Sequence, residues 1–116
     1  MTDSIHFQKL ALSFPGTEEH PHFEKKSFRV KKKIWATVNI LNHRACLKLS
    51  PIDQSVFCAF DKAIIYPASN KWGLHGWTMV ELSKIKKAML KDIAATAYNE
   101  VAGKNVSKKY KKYLIF

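Results

Sequence analysis

Cysteine is scarce in this sequence: Cys46 and Cys58 are the only two in 116 residues. That excludes a disulfide-stapled framework and fits reduced thiols, hence a cytoplasmic protein. Acidic side chains are also few, 9 Asp and Glu against 20 Lys and Arg. They are scattered, so neither a paired-carboxylate nor a Ser-His-Asp centre can be assembled, and no enzymatic activity is expected. The 4 glycines form neither a phosphate loop nor a dinucleotide fingerprint, and no cofactor is implied. His20 and His22 are two apart and His75 could join them, but no recognisable Cys/His spacing completes a zinc ligand set, so no metal site is expected. No apolar run approaches the ~20 residues that span a bilayer, and no charged-then-apolar N-terminal signal is present, so no membrane association is expected.

What is present is a core and an excess of positive charge. An apolar share of 47%, with 7 Phe, 4 Tyr and 3 Trp, is ample for one packed domain and leaves no room for a second core. The formal net charge of +11 points to polyanionic partners, nucleic acid first and an acidic protein or anionic surface after it.

The stretch Phe28 to Leu49 organises the rest. Phe28, Val30, Ile34, Ala36, Val38, Ile40, Ala45, Leu47 and Leu49 are apolar at a period of two, with Arg29, Lys31, Trp35, Thr37, Asn39, Cys46 and Lys48 between them. Strict alternation reads as strands with one buried and one open face. Lys31-Lys32-Lys33 and Asn42-His43 divide the run into a three-stranded meander, and place Arg29, Trp35 and Lys48 on the open face.

Ahead of it, Ile5, Phe7, Leu10, Ala11 and Phe14 lie three or four apart, as on one side of a helix. Asp3 or Ser4 would cap that helix and Pro15-Gly16 would stop it. The segment Thr17 to Phe23 could supply an edge strand, where proline is tolerated. After the meander, Ser50-Pro51 signals a helix start, and Ile52, Val56, Phe57 and Phe60 mark its apolar face. Ile64-Ile65-Tyr66 reads as a brief strand closed by Pro67. The residues from Ala68 to Gly76 suit a loop, and Trp77 to Leu82 a last strand. A long helix is expected from Ser83 to about Ala102, with Gly103 as its cap and Leu90, Ile93, Ala94, Ala97, Tyr98 and Val101 as its stripe. Its first half is crowded with Lys84, Lys86, Lys87 and Lys91, which oppose the helix macrodipole.

The order is α-β(3)-α-β(2)-α. It predicts an α+β fold, an antiparallel sheet with helices packed on one face. Residues 1–103 form the single domain, and 104–116 a basic, aromatic tail in which Tyr110, Tyr113 and Leu114 could dock.

Several motifs in this order resemble the MmcQ/YjbR family of small bacterial proteins. They are Phe14-Pro15-Gly16-Thr17-Glu18-Glu19, Ser27-Phe28-Arg29-Val30 leading to Lys33-Ile34-Trp35-Ala36, Leu47-Lys48-Leu49-Ser50-Pro51, Trp72-Gly73, Gly76-Trp77-Thr78 and Ala97-Tyr98. The resemblance implies a CyaY-like or secretion-chaperone-like α+β fold and a "double wing" suggestive of DNA binding, with no enzymatic activity attached.

On that reading the wings are two hairpins, one tipped by Lys31, Lys32 and Lys33, the other holding Asn70, Lys71, Trp72 and His75. The expected nucleic-acid-binding residues are Arg29, Lys31, Lys32, Lys33, Lys48 and Lys71, with Trp35 as a stacking side chain on the open face. DNA is the favoured ligand and a monomer or weak dimer the expected state. Arg29 could instead pair with Glu24 or Glu81, and Trp72 and Trp77 are expected to pin their loop. Alternatives are a protein adaptor using the open face and a small-molecule pocket lined by Trp35, Trp72 and Trp77.

Overall fold

A computed structural model of the chain describes residues 3–22 and 25–103; the tail from 104 onward, and Glu24 as a partner for Arg29, lie outside the described residues. Helix α1 (Ser4–Leu12) is capped by Asp3, whose side chain accepts from the His6 amide at 2.8 Å. It buries Phe7 and Ala11, and the chain turns at Gly16, where φ is 76°. Then come β1 (Glu18–His22), β2 (Lys25–Val30), β3 (Lys33–Asn39) and β4 (Arg44–Lys48). Helix α2 (Pro51–Cys58) starts as expected, its Ser50 cap accepting from the Asp53 amide at 3.1 Å. It is followed by β5 (Ile65–Pro67), α3 (Asn70–Leu74), β6 (Trp77–Glu81) and α4 (Lys87–Ala102).

The strands form one six-stranded sheet in the order β1-β2-β3-β4-β6-β5, with every neighbouring pair antiparallel. The expected edge strand is present as β1, which makes six strands rather than five. Its margin carries Pro21, and the opposite margin, β5, is three residues long and ends in Pro67. Helices α1 and α4 close one face. Phe7 meets Phe28 edge-on at 5.8 Å, and Leu90, Ile93, Ala94, Ala97, Tyr98 and Val101 of α4 are all buried. Among the described residues, no helix covers the other face. The result is the α+β architecture the sequence predicts.

Three elements differ from expectation. The residues between β5 and β6 hold the short helix α3 rather than a plain loop. Helix α4 begins at Lys87, with Lys86 as its cap; Lys84 precedes the helix, while Lys86 and Lys87 stand at its positive end and oppose its dipole as expected. The expected stripe of α2 divides, Phe57 packing partly buried against the core while Ile52 (78%), Val56 and Phe60 are exposed.

The largest correction concerns Trp35. Pairing between β2 and β3 runs Ser27 with Thr37 and Phe28 with Ala36, then slips to Arg29 with Ile34. Trp35 is thus the extra residue of a β-bulge, and an extra residue reverses the side-chain parity of the strand. Trp35 and Ala36 both point into the core, and Trp35 is 0% exposed. Its ring sits edge-on to Phe14 (5.5 Å) and Tyr98 (5.7 Å), while its Nε1 donates to the Thr17 hydroxyl at 3.3 Å. It is a core residue and cannot stack on a base.

Candidate nucleic-acid interface

Strand register decides where the basic residues gather. Strand β3 leaves the Lys31-Lys32 turn, and antiparallel β4 returns to the same end, finishing at Lys48. Lys48 lies opposite Trp77, where β6 begins, and Pro67 opposite Thr78, where β5 ends. The β2–β3 turn and the β5–β6 connection therefore share one end of the sheet. Arg29, Lys31, Lys32, Lys33, Lys48 and Lys71 all belong to that end. The register puts them along one end of the sheet, not together on its open face as expected.

The tip itself is strained. Val30 pairs with Lys33, leaving Lys31 and Lys32 as a two-residue loop with φ of 53° and 68°. Positive φ at both positions is the type I′ pattern, normally met by Asn-Gly. Lysines here cost free energy in the fold, and strain of this kind collects where side chains have a task beyond packing. The double substitution Lys31→Asn, Lys32→Gly should raise stability by about 1–2 kcal/mol in urea unfolding; an unchanged midpoint would mean the turn is not of this type.

Lys48 is held by its own hydrogen bond, its Nζ donating to the His75 carbonyl. Beside it is a cavity of about 210 Å³ whose walls include Lys33, Ile34, Trp77 and Glu100. The β3–β4 ladder ends at the Ala36–Leu47 pair, and the cavity lies beyond it, toward the wing end. Glu100 is one acidic neighbour of this end. Glu18, opposite Arg29, is another, and it meets His20 at 3.1 Å. Arg29 Nε donates to the Ser27 hydroxyl at 3.5 Å. Its expected partner Glu81 instead pairs with Arg44 Nε at 2.8 Å.

The tryptophans exchange roles. Trp72, expected to pin its loop, is 61% exposed beside Lys71, and is the aromatic at this end available for contact. Trp77 is half-buried against Lys48, and the alternation Trp77, Met79, Glu81 along β6 is a legible sign that it faces away from the core. With Trp35 in the core and Trp72 on the surface, the three tryptophans do not line a common pocket.

A second concavity, about 180 Å³, lies on the open face, with Lys25, Asn39, Asn42, Arg44 and Cys46 among its lining residues. Burial pushes the Cys46 thiol up to about 11, against a smaller opposing pull from Lys25; it is a poor nucleophile near neutral pH. Both cysteines are free thiols. Tyr66 donates to Glu81, and that bond raises the Tyr66 pKa above its ordinary value. Among the described residues no helix is long and apolar enough to cross a membrane.

Comparison with known proteins agrees with this architecture. The crystal structure of a Deinococcus radiodurans protein carrying the family-model domain DUF419 is similar over 98% of this chain and 88% of that one, with a TM-score of 0.79 and 22% identity. A likeness at that identity speaks for the fold alone. Comparison with curated proteins gives no match. The family model for YjbR matches residues 12–100, a span from the end of α1 through nearly all of α4, and it includes both wings and the bulged strand between them. The chain belongs to the YjbR family.

Proposed function

We propose that this protein is a non-enzymatic nucleic-acid-binding module that grips a sugar-phosphate backbone, DNA by preference, with the two hairpins at one end of its sheet. The observation that carries the reading is the gathering of Arg29, Lys31, Lys32, Lys33, Lys48 and Lys71 at that single end, two of them on a strained turn. Each lysine that neutralises a phosphate releases condensed counterions, so affinity comes from charge and carries little base specificity. Trp72 takes the stacking role expected of Trp35, because an exposed ring beside a cation suits an unpaired base. A monomeric or weakly dimeric protein of the cytoplasm fits this role.

The test is a salt titration of binding to random-sequence duplex DNA and to RNA. Six phosphate contacts predict a log–log slope of roughly −5, and replacing Lys31, Lys32 and Lys33 together by alanine should flatten it by roughly 2–3. Absence of binding at low salt would end the proposal. A slope that survives the triple substitution would move the interface elsewhere.

A further inference from the structure

Of the four apolar residues that its sequence puts on one face of helix α2, Phe57 packs partly buried against the core, but nothing among the described residues covers the other three. Ile52 is 78%, Val56 55% and Phe60 64% exposed, and no residue of the helix is fully buried. These three are four apart, so they form one row along the helix and the turn after it. The helix is anchored from its opposite side. Gln54 Nε2 donates to the Gly73 and Trp77 carbonyls at 3.0 and 3.1 Å and to the Thr78 hydroxyl at 3.2 Å. Two residues are about 200° of helix, so the stripe looks away from the sheet. An apolar row of this length with an anchored back is a surface built for an occupant.

Charge narrows the choice of occupant. In a chain of net charge +11, the segment Leu49 to Asp61 has no Lys or Arg and contains Asp53 and Asp61. Its complement is an apolar segment laced with cations. Residues 104–116 have that composition: Lys104, Lys108, Lys109, Lys111 and Lys112 interleave with Tyr110 and Tyr113, ahead of Leu114, Ile115 and Phe116. Reach is no obstacle. Thirteen residues extend to roughly 40 Å, whereas β3, the longest strand at 7 residues, runs only about 23 Å. The segment follows Gly103, and Glu100 and Val101 just before it line the same cavity as Lys48, which is two residues ahead of the α2 cap Ser50. A second copy fits less well, since three side chains offer on the order of 300 Å² per protomer, far below the ~800 Å² of a stable interface. A tethered segment needs much less, because the link holds it at roughly millimolar effective concentration.

We propose that residues 104–116 dock in cis on helix α2, their aromatic and aliphatic side chains against Ile52, Val56 and Phe60 and their lysines beside Asp53 and Asp61. The experiment uses the full chain with labelled methyl groups. Nuclear Overhauser effects are expected from Ile52 and Val56 methyls to the rings of Tyr113 or Phe116, unchanged over a roughly hundredfold dilution. The surface variant Ile52→Gln, Val56→Gln should abolish them and speed tryptic cleavage after Lys108 to Lys112 about tenfold, while the melting temperature stays put. A second variant, Tyr113→Ser, Phe116→Ser, should speed cleavage alike with α2 untouched. Absence of these Overhauser effects, or equal cleavage in all three proteins, would overturn the proposal. Overhauser effects that fade on dilution would assign the stripe to a second copy and overturn it too. Nucleic-acid binding is measured separately, so failure here leaves the interface at the other site standing.

Discussion

Replacing Trp35 by alanine should lower the free energy of unfolding by about 3–5 kcal/mol, the range for removing a large aromatic from a packed core. The ring is 0% exposed and closes a cluster with Phe14 and Tyr98, whose rings themselves stack at 5.0 Å. Two long-range hydrogen bonds tie this cluster to the turn after α1. Trp35 donates to Thr17, and the Tyr98 hydroxyl to the Pro15 carbonyl at 2.6 Å. The loss is therefore more than a cavity, because Thr17 also loses its partner and the turn one of its ties. Urea unfolding gives the number. A variant that keeps its stability but loses nucleic-acid affinity would put Trp35 back in the interface and contradict the bulge.

Gly76→Ala should be the most damaging glycine substitution, by about 2–4 kcal/mol. Gly76 has φ of 97°, and a Cβ there would overlap the Leu49 carbonyl oxygen. The backbone on both sides is already committed. The Gly76 carbonyl accepts from the Leu49 amide at 2.9 Å and from the Thr78 hydroxyl at 3.0 Å. The methyl group cannot be accommodated without parting β4 from the start of β6. Gly16→Ala is the control. Its φ of 76° also disfavours a side chain, yet an added Cβ meets only a Val30 methyl at 3.7 Å, so about 1 kcal/mol is expected. Equal losses for the two variants would mean that backbone conformation alone matters, and that the close approach to Leu49 is not felt. Because Gly76 sits beside Lys48 of the proposed interface, its substitution should also weaken DNA binding on that proposal, whereas Gly16→Ala should spare it.

Much of this fold is legible in the residues. The cap at Asp3, the Ser50-Pro51 start, the alternation along β4 and the stripe of α4 each follow from a local rule, and each is where that rule puts it. Trp35 escapes because alternation assumes one residue opposite one residue, and the slip between Phe28 and Arg29 is a property of two strands that neither displays alone. Helix α3 escapes because five residues, NKWGL, are too few for a helical period. The stripe of α2 shows a different boundary. Periodicity establishes that Ile52, Val56 and Phe60 share a face, but not that another element covers it. Of the candidate site, charge and turn position single out the lysines, while their placement at one end of the sheet requires the register of its strands. Trp72 runs against expectation because flanking glycines suggest a ring packed over its own loop.

The two margins of the sheet bear on how this protein associates. Pro21 at one and the three-residue β5 ending in Pro67 at the other leave short ladders interrupted by a residue with no amide hydrogen to give. Neighbouring molecules are thereby denied a template for lengthening the sheet. On the proposed function, crowding such molecules along a polyanion raises their local concentration without nucleating fibrils, so a cationic chain whose second sheet face is uncovered among the described residues would coat its ligand and still come off one molecule at a time.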